Sequence, residues 1–421
     1  MIQFEKHTLS NGLKVIVHED RSTPIAAMNI LYDVGARDED PDKTGFAHLF
    51  EHLMFGGSVN IPNYDEPLQN VGGENNAFTS NDITNYYLTL PAQNLETGFW
   101  LESDRMLSLA FSEKSLEVQR SVVIEEFRQR YLNQPYGDVW LKLKPLAYKV
   151  HPYLWNTIGK EISHIENATM DDVKAFFKKH YLPNNAILSV AGNVKTDEVL
   201  KLAEKWFGPI AKGEKKERKL PVEPPQTEER KQETTADVPY DAIYKAWHMC
   251  GRKNPDYYTY DVISELFSRG KSSRLYIELV KNKKLFSEIN AYISGDDDPG
   301  LLVIAGKVSE GVDMKAAEAG IAEEVNKLRS TVADASELQK IKNNMEASLV
   351  FSEMGVEGKA LNLAIFELMG DAEGVNQEAE KYQAVTVERV KELAEKTLVD
   401  TNCSTLYYKA SPQPSPKERE S

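Results

Sequence analysis

The chain opens with two short strand-like runs, a mostly polar one at residues 4–9 and a mostly apolar one at 13–18, separated by Ser10-Asn11-Gly12. Asn-Gly supplies the positive φ of a tight turn, so the pair predicts a β-hairpin. Residues 26–34 form another apolar, strand-like run. Residues 76–90, rich in Thr, Tyr and Phe, predict one or two more strands. Helical spacing of apolar positions runs through 44–54, 94–110 and 112–131. A buried strand at 186–192 and a helix at 196–207 close this part of the chain.

The pattern then breaks. Residues 211–238 are charged and polar, carry Pro221, Pro224 and Pro225, and hold too few apolar residues to bury a core, which predicts a linker. Beyond it the order of elements starts again. A strand at 242–250 leads to Gly251-Arg252, echoing Gly35-Ala36-Arg37. A helix at 257–267, the run Gly270-Lys-Ser-Ser-Arg-Leu-Tyr276, a helix to Lys281, and strands at 289–293 and 301–308 follow. The reading is an α+β fold of two homologous α/β sandwich halves, each a mixed, mainly antiparallel sheet with helices. An N-terminal half spans 1–210, a C-terminal half 239–410, and a proline-rich tail at 411–421 predicts disorder. The second half has no counterpart to the histidines of the first, so any chemistry is one-sided.

A length of 421 residues calls for more than one core. The apolar fraction of 41% and charged fraction of 27% are those of an ordinary globular protein. A net charge of -15 argues against nucleic-acid binding, which needs a basic patch. Cys250 and Cys403 provide neither a disulfide framework nor metal-ligand spacing. Met1 to Lys6 lacks the features of a signal peptide, and no apolar run reaches the roughly 18 residues of a membrane span. The expectation is a cytoplasmic protein, or a periplasmic one if a signal has been removed.

The candidate chemistry lies in His48-Leu-Phe-Glu51-His52. Two histidines four apart on a helix project from one face, and neutral imidazoles at that spacing suit one zinc ion. Glu51 flanks that face, where a carboxylate can take a proton from a zinc-held water as it attacks a peptide carbonyl. With 8 histidines in the chain, the motif would arise by chance on the order of 0.01 times. A third ligand is needed, usually a carboxylate, and Glu125 and Glu126 on a predicted helix are both candidates. His151 and His164 read as ordinary surface or core residues.

The sequence resembles the pitrilysin family of inverted-motif zinc peptidases, in its processing-peptidase-like branch. The resemblance rests on Thr8-Leu-Ser-Asn-Gly-Leu-Lys-Val15, Gly45-Phe-Ala-His-Leu-Phe-Glu-His-Leu-Met-Phe55, Gly72-Gly-Glu-Asn-Asn-Ala-Phe-Thr-Ser80, Arg120-x-Val-Val-x-x-Glu126, Tyr181-Leu-Pro-Asn-Asn185 and Gly270-x-Ser-Ser-Arg-Leu-Tyr276. It implies a zinc endopeptidase for unfolded peptides, with one zinc per chain held by His48, His52 and Glu126 rather than Glu125, and Glu51 as the water-activating base. It implies that Asn76, Ala77 and Phe78 form an edge strand that pairs with extended substrate. Two departures stand out. Gln119 occupies a position that often carries an acid, and Val280 and Ser287 fall where complete members carry an Arg and a Tyr that hold the scissile carbonyl. The second departure implies a heterodimer with a homologous subunit supplying that Arg–Tyr pair, with a homodimer as the rival. A catalytically silent structural subunit and a peptide-binding module are the alternative functions.

Overall fold

A computed structural model describes residues 1–214, 217–331 and 333–411. The expected tail, 411–421, lies almost wholly outside these residues. The predicted hairpin is formed by strands β1 (Glu5–Thr8) and β2 (Lys14–Glu19), and Gly12 takes a φ of +89° in the turn between them. Strands β3 (Ile25–Tyr32), β4 (Glu74–Thr79), β5 (Thr84–Pro91) and β6 (Ala186–Gly192) complete a sheet of order β1-β2-β6-β3-β5-β4. Only the β2–β6 pairing is parallel. The second sheet comprises β7 (Arg230–Ala236), β8 (Ala242–His248), β9 (Phe286–Ile293), β10 (Leu301–Val308) and β11 (Cys403–Ala410), in the order β7-β11-β8-β10-β9. Here too one pairing, β7 with β11, is parallel. With β1 set aside, the two orders are the same, which is the mark of a duplicated α+β fold.

The chain divides into two compact units, and neither is a continuous stretch of sequence. The first takes residues 1–128, 155–221 and 347–379; the second takes 129–154, 222–346 and 380–421. In the first unit, the helix Val356–Met369 covers one sheet face. Its Leu363, Ala364 and Phe366 pack on Ile16, Leu31 and Ile187, and its Val356 and Ala360 on Ala27 and Ala191. In the second, the helix Val139–Ala147 lays Val139, Leu143 and Ala147 against Ala246, Val303 and Leu406. Each sheet is thus covered by a helix from the other half of the sequence, where contiguous halves of 1–210 and 239–410 were expected. Helix amphipathicity specifies a buried face but not the surface that buries it, so the exchange leaves no local trace.

The expected linker, 211–238, also differs in structure. It ends in strand β7, whose exposed and half-buried residues alternate and whose pairing with β11 puts Arg230 opposite Ser404. An edge strand built from Arg, Lys, Gln, Glu and Thr carries no apolar signal, and its composition alone reads as loop. No helix among the described residues is long and apolar enough to cross a membrane.

The exchange generates a test. A fragment ending at residue 210 leaves the apolar face formed by Ile16, Leu31 and Ile187 bare. At about 25 cal/mol per Å² of apolar surface, that loss is several kcal/mol, comparable to a domain's whole stability. The fragment is expected to show no cooperative thermal transition by circular dichroism and to bind a hydrophobic dye. Co-expression with residues 211–421 should restore the transition.

Candidate metal centre

Helix α1 (Phe46–Leu53) carries the histidine motif. Phe46, Leu49, Phe50 and Leu53 recur at helical spacing and are buried, while His48, Glu51 and His52 occupy the other, half-buried face. One tyrosine from each of β3 and β5 supports the apolar face through Tyr181. The Tyr32 and Tyr86 rings pack on Tyr181, and Tyr181 lies against Phe50 with centroids 4.4 Å apart. Gly45 takes the cap position with a φ of +88°, and a Cβ there would stand 2.7 Å from the Ile158 carbonyl oxygen. His164 accepts from the Thr44 backbone N–H at Nδ1, a structural role in the turn before α1.

The helix Glu113–Phe127 supplies the opposing carboxylate. Ser112 caps it by accepting from the Ser115 N–H, and Leu116, Val123 and Phe127 are its buried stripe. Arg120 donates to the carbonyls of Glu166 and Ala168, fixing the helix in rotation. Glu126 then faces α1. Its Oε2 is 3.7 Å from His48 Nε2 and 3.5 Å from His52 Nε2. Glu125 points outward, half exposed, near Arg128.

The donor set suits a metal ion. Ligand atoms of His48, His52 and Glu126 lie within 4.8 Å of one another, the one such group of His, Cys, Asp and Glu found among the described residues. Tetrahedral zinc with bonds of ~2.0–2.1 Å separates its ligands by about 3.4 Å, close to the two observed distances. The imidazoles meet edge to face with centroids 4.8 Å apart.

Glu51 stands beside this cluster. Burial raises its carboxyl above the ordinary range and the Glu126 charge adds to that, while the Thr79 hydroxyl and His52 oppose it. Thr79 Oγ1 donates to Glu51 Oε2 at 2.6 Å. Thr79 ends β4, which lies at the edge of its sheet and pairs with β5 only. Asn76, Ala77 and Phe78 lie on that strand, with Asn76 exposed.

Two contacts were not read from the sequence, although Thr79 lies within the Gly72–Ser80 motif. Thr79 reaches Glu51 across 28 residues. Glu39 is buried near the start of α1, where its two oxygens accept from the N–H groups of Gly45 and Ala47. Burial pushes its carboxyl up to about 8, against those two N–H groups. Neither contact follows a fixed spacing, so only the folded chain reveals it.

The other singled-out residues sit in local roles. His151 Nδ1 accepts from the Tyr153 N–H, and its Nε2 is 3.4 Å from Asp298. Arg274 forks onto Glu337 at 3.0 and 2.7 Å, and the Ser287 hydroxyl donates to the Lys307 carbonyl.

Repeated sheets bearing a two-histidine, one-carboxylate cluster in a single repeat define a duplicated α+β protein with one candidate metal centre. Residues 14–149 match the model of the insulinase family, peptidase family M16, and residues 167–345 match that of the M16 inactive domain. The chain is 32% identical to the zinc protease PqqE of Helicobacter pylori over 96% of its own length and 92% of that protein's. It is 27% identical to a probable mitochondrial-processing peptidase subunit beta of Schizosaccharomyces pombe, over 83% of this chain and 78% of that one. The crystal structure of a protease from Helicobacter pylori superposes with a TM-score of 0.91 at 30% identity, covering 97% of this chain and 100% of that chain. The chain belongs to the M16 peptidase family, the pitrilysin family of its sequence resemblance.

The helix behind α1 generates a pH test. His180 ends the helix Met170–His180, is buried, and packs at a tilt against Phe176 with centroids 4.7 Å apart. Burial lowers its pKa to about 4; Lys179 and Arg218 act in the same direction, and Asp38 and Asp33 oppose. A histidine whose folded pKa lies below its unfolded value of ~6.5 contributes full stability above that value and loses it as pH falls towards 4. Between pH 7 and pH 5 the loss from this one group is about 2 kcal/mol. The variant His180→Gln should therefore lose less stability than wild type over that interval, measured by urea midpoints. Equal losses would remove His180 as the cause.

Proposed function

We propose that this chain is a zinc-dependent endopeptidase of the inverted-motif type, acting on unfolded peptides. The observation that carries the reading is the convergence of His48 and His52 Nε2 on one oxygen of Glu126, with Glu51 on the same face of α1. His48, His52 and Glu126 would hold one zinc per chain. When bound, zinc supplies Lewis-acid polarisation and makes water a nucleophile near neutral pH.

The remaining chemistry belongs to side chains and backbone. Glu51 is the general base, taking a proton from water and delivering it to the leaving amine. Its partial burial keeps its proton affinity high enough for that task, and Thr79 fixes the carboxylate in one orientation. The outer edge of β4, at Asn76, Ala77 and Phe78, suits main-chain pairing with an extended peptide. An extended strand is available only in an unfolded substrate, which sets the substrate class.

Metal analysis and a quenched-peptide assay on the same samples test the assignment. Glu126→Gln should lose stoichiometric zinc while Glu125→Gln keeps it; the reverse result would exchange the two roles. Glu51→Gln should keep zinc and fold but lose at least about 10²-fold in activity, the usual scale for a positioned base. Activity within a few-fold of wild type would remove Glu51 from the mechanism.

A heterodimer is the proposed working form. Val280 and Ser287 stand where a carbonyl-holding Arg and Tyr would be expected, and Arg274 is already committed to Glu337. Losing one donor to a developing oxyanion costs on the order of 10²–10³ in rate. The similar Schizosaccharomyces pombe protein is itself described as a subunit. The isolated chain should be slow and should gain at least about 10²-fold on adding a homologue that has the Arg–Tyr pair and lacks the histidine motif. Full activity alone, unchanged by such a partner, favours a self-sufficient homodimer. Zinc binding with no turnover under either condition favours a silent or peptide-binding subunit.

A further inference from the structure

Helix α1 is eight residues long and cannot cap itself. The first intrahelical bond runs from the Leu49 N–H to the Gly45 carbonyl, so the N–H groups before it need outside partners. The cap residue is Gly45, which has no side chain to offer, and no side-chain cap bond comes from it. Glu39 fills the gap from the segment that leads into the helix, with Oε2 2.9 Å from the Gly45 nitrogen and Oε1 2.8 Å from the Ala47 nitrogen. Ala47 immediately precedes His48. The carboxyl group grips the helix at two points, which fixes direction as well as position.

The loop that carries Glu39 is itself held. Trp155 Nε1 donates to the Ala36 carbonyl at 2.9 Å, and Arg218 reaches both Asp33 and Asp38. The Ala36 and Arg37 N–H groups donate to the carbonyls of Ser80 and Asn81, and the Arg37 guanidinium is 2.8 Å from Asp82. Residues 80–82 form the turn directly after Thr79. The contacts close a ring: the β4–β5 turn holds the loop, the loop holds Glu39, Glu39 holds the start of α1, and Glu51 on α1 returns to Thr79. The histidine face of α1 and the open edge of β4 are thereby set in one frame.

We propose that Glu39 is a positioning residue for the metal centre, fixing the pitch of His48 and His52 towards Glu126 and of Glu51 towards β4. The inference rests on the zinc reading above. It assigns Glu39 no contact with metal or substrate.

The test uses the full chain, with Glu39→Gln as the near-isosteric variant, Glu39→Ala as the larger change, and Asp40→Ala as a control on the same loop. Zinc affinity is measured by chelator competition, stability by urea midpoints of the metal-free proteins, and kcat and KM on a quenched peptide. Glu39→Gln should bind zinc about 10–100-fold more weakly, the usual range for groups that orient ligands. Its kcat at saturating zinc should fall with KM little changed. The metal-free midpoint should stay near that of wild type, and Asp40→Ala should match wild type throughout. Wild-type zinc affinity and kcat in folded Glu39→Gln would overturn the proposal, as would a loss of affinity that merely tracks a lowered midpoint. If Glu39→Ala fails to fold, Glu39→Gln alone decides. If wild type itself binds no zinc, the zinc reading fails first and this inference falls with it.

Discussion

A helix of eight residues has no stability of its own in water, because nucleating it costs more than so few hydrogen bonds return. Both histidines of the metal cluster, and Glu51 beside them, are nevertheless mounted on one. The position of α1 is imposed by its surroundings: an aromatic bed of Phe176, Phe177 and Tyr181 beneath Phe50, a glycine whose backbone only fits left-handed, and a carboxylate that holds its first turn. Two imidazoles, one turn apart, inherit their direction from that placement. The opposed carboxylate arrives on a helix anchored independently, through Arg120 and two carbonyls. The geometry of the cluster is a meeting of two separately secured elements, and each could fail alone.

Burial sharpens the electrostatics of that meeting. The Glu126 charge adds to the cost of ionising Glu51 in a half-buried space, with two imidazoles facing Glu126. Such a group of like and unlike charges is expensive in a protein interior unless a cation shares it. The cluster is therefore poorly explained as a device for stability. A bound divalent ion would offset the carboxylate charges while leaving the imidazoles neutral as ligands.

Much of this was legible in the sequence, and what was not has physical causes. The strands announced themselves through apolar runs such as 26–34 and 186–192, and the histidine motif through its spacing. The choice between Glu125 and Glu126 rested on resemblance, and the helix Glu113–Phe127 shows why: its buried stripe at Leu116, Val123 and Phe127 is short and leaves the helix rotation open. Strand β7 was hidden by its polarity. The helices Met170–His180 and Val356–Met369 went unread although signals framed them, a Thr169–Asp172 capping box at the start of the first and Gly355 and Gly370 at the two ends of the second. The roles of Glu39 and of Thr79, the latter already within the Gly72–Ser80 motif, were hidden for a different reason, since their partners are fixed only by tertiary structure.

The helix exchange has a consequence for the time course of biosynthesis. The backbone N–H of Ile2 donates to the Asn376 side chain, and Lys6 and Lys14 pair with Glu367, contacts spanning more than 350 residues. Ribosomes deliver about 5–20 residues per second, so the first sheet, whose last strand ends at Gly192, waits on the order of 10–35 seconds for the helix that ends at Met369. During that interval the apolar face of Leu31 and Ile187 has no native cover. A chain of this topology makes all the strands of its first sheet well before the helix that covers them, and that sheet cannot be finished until residues 356–369 have emerged.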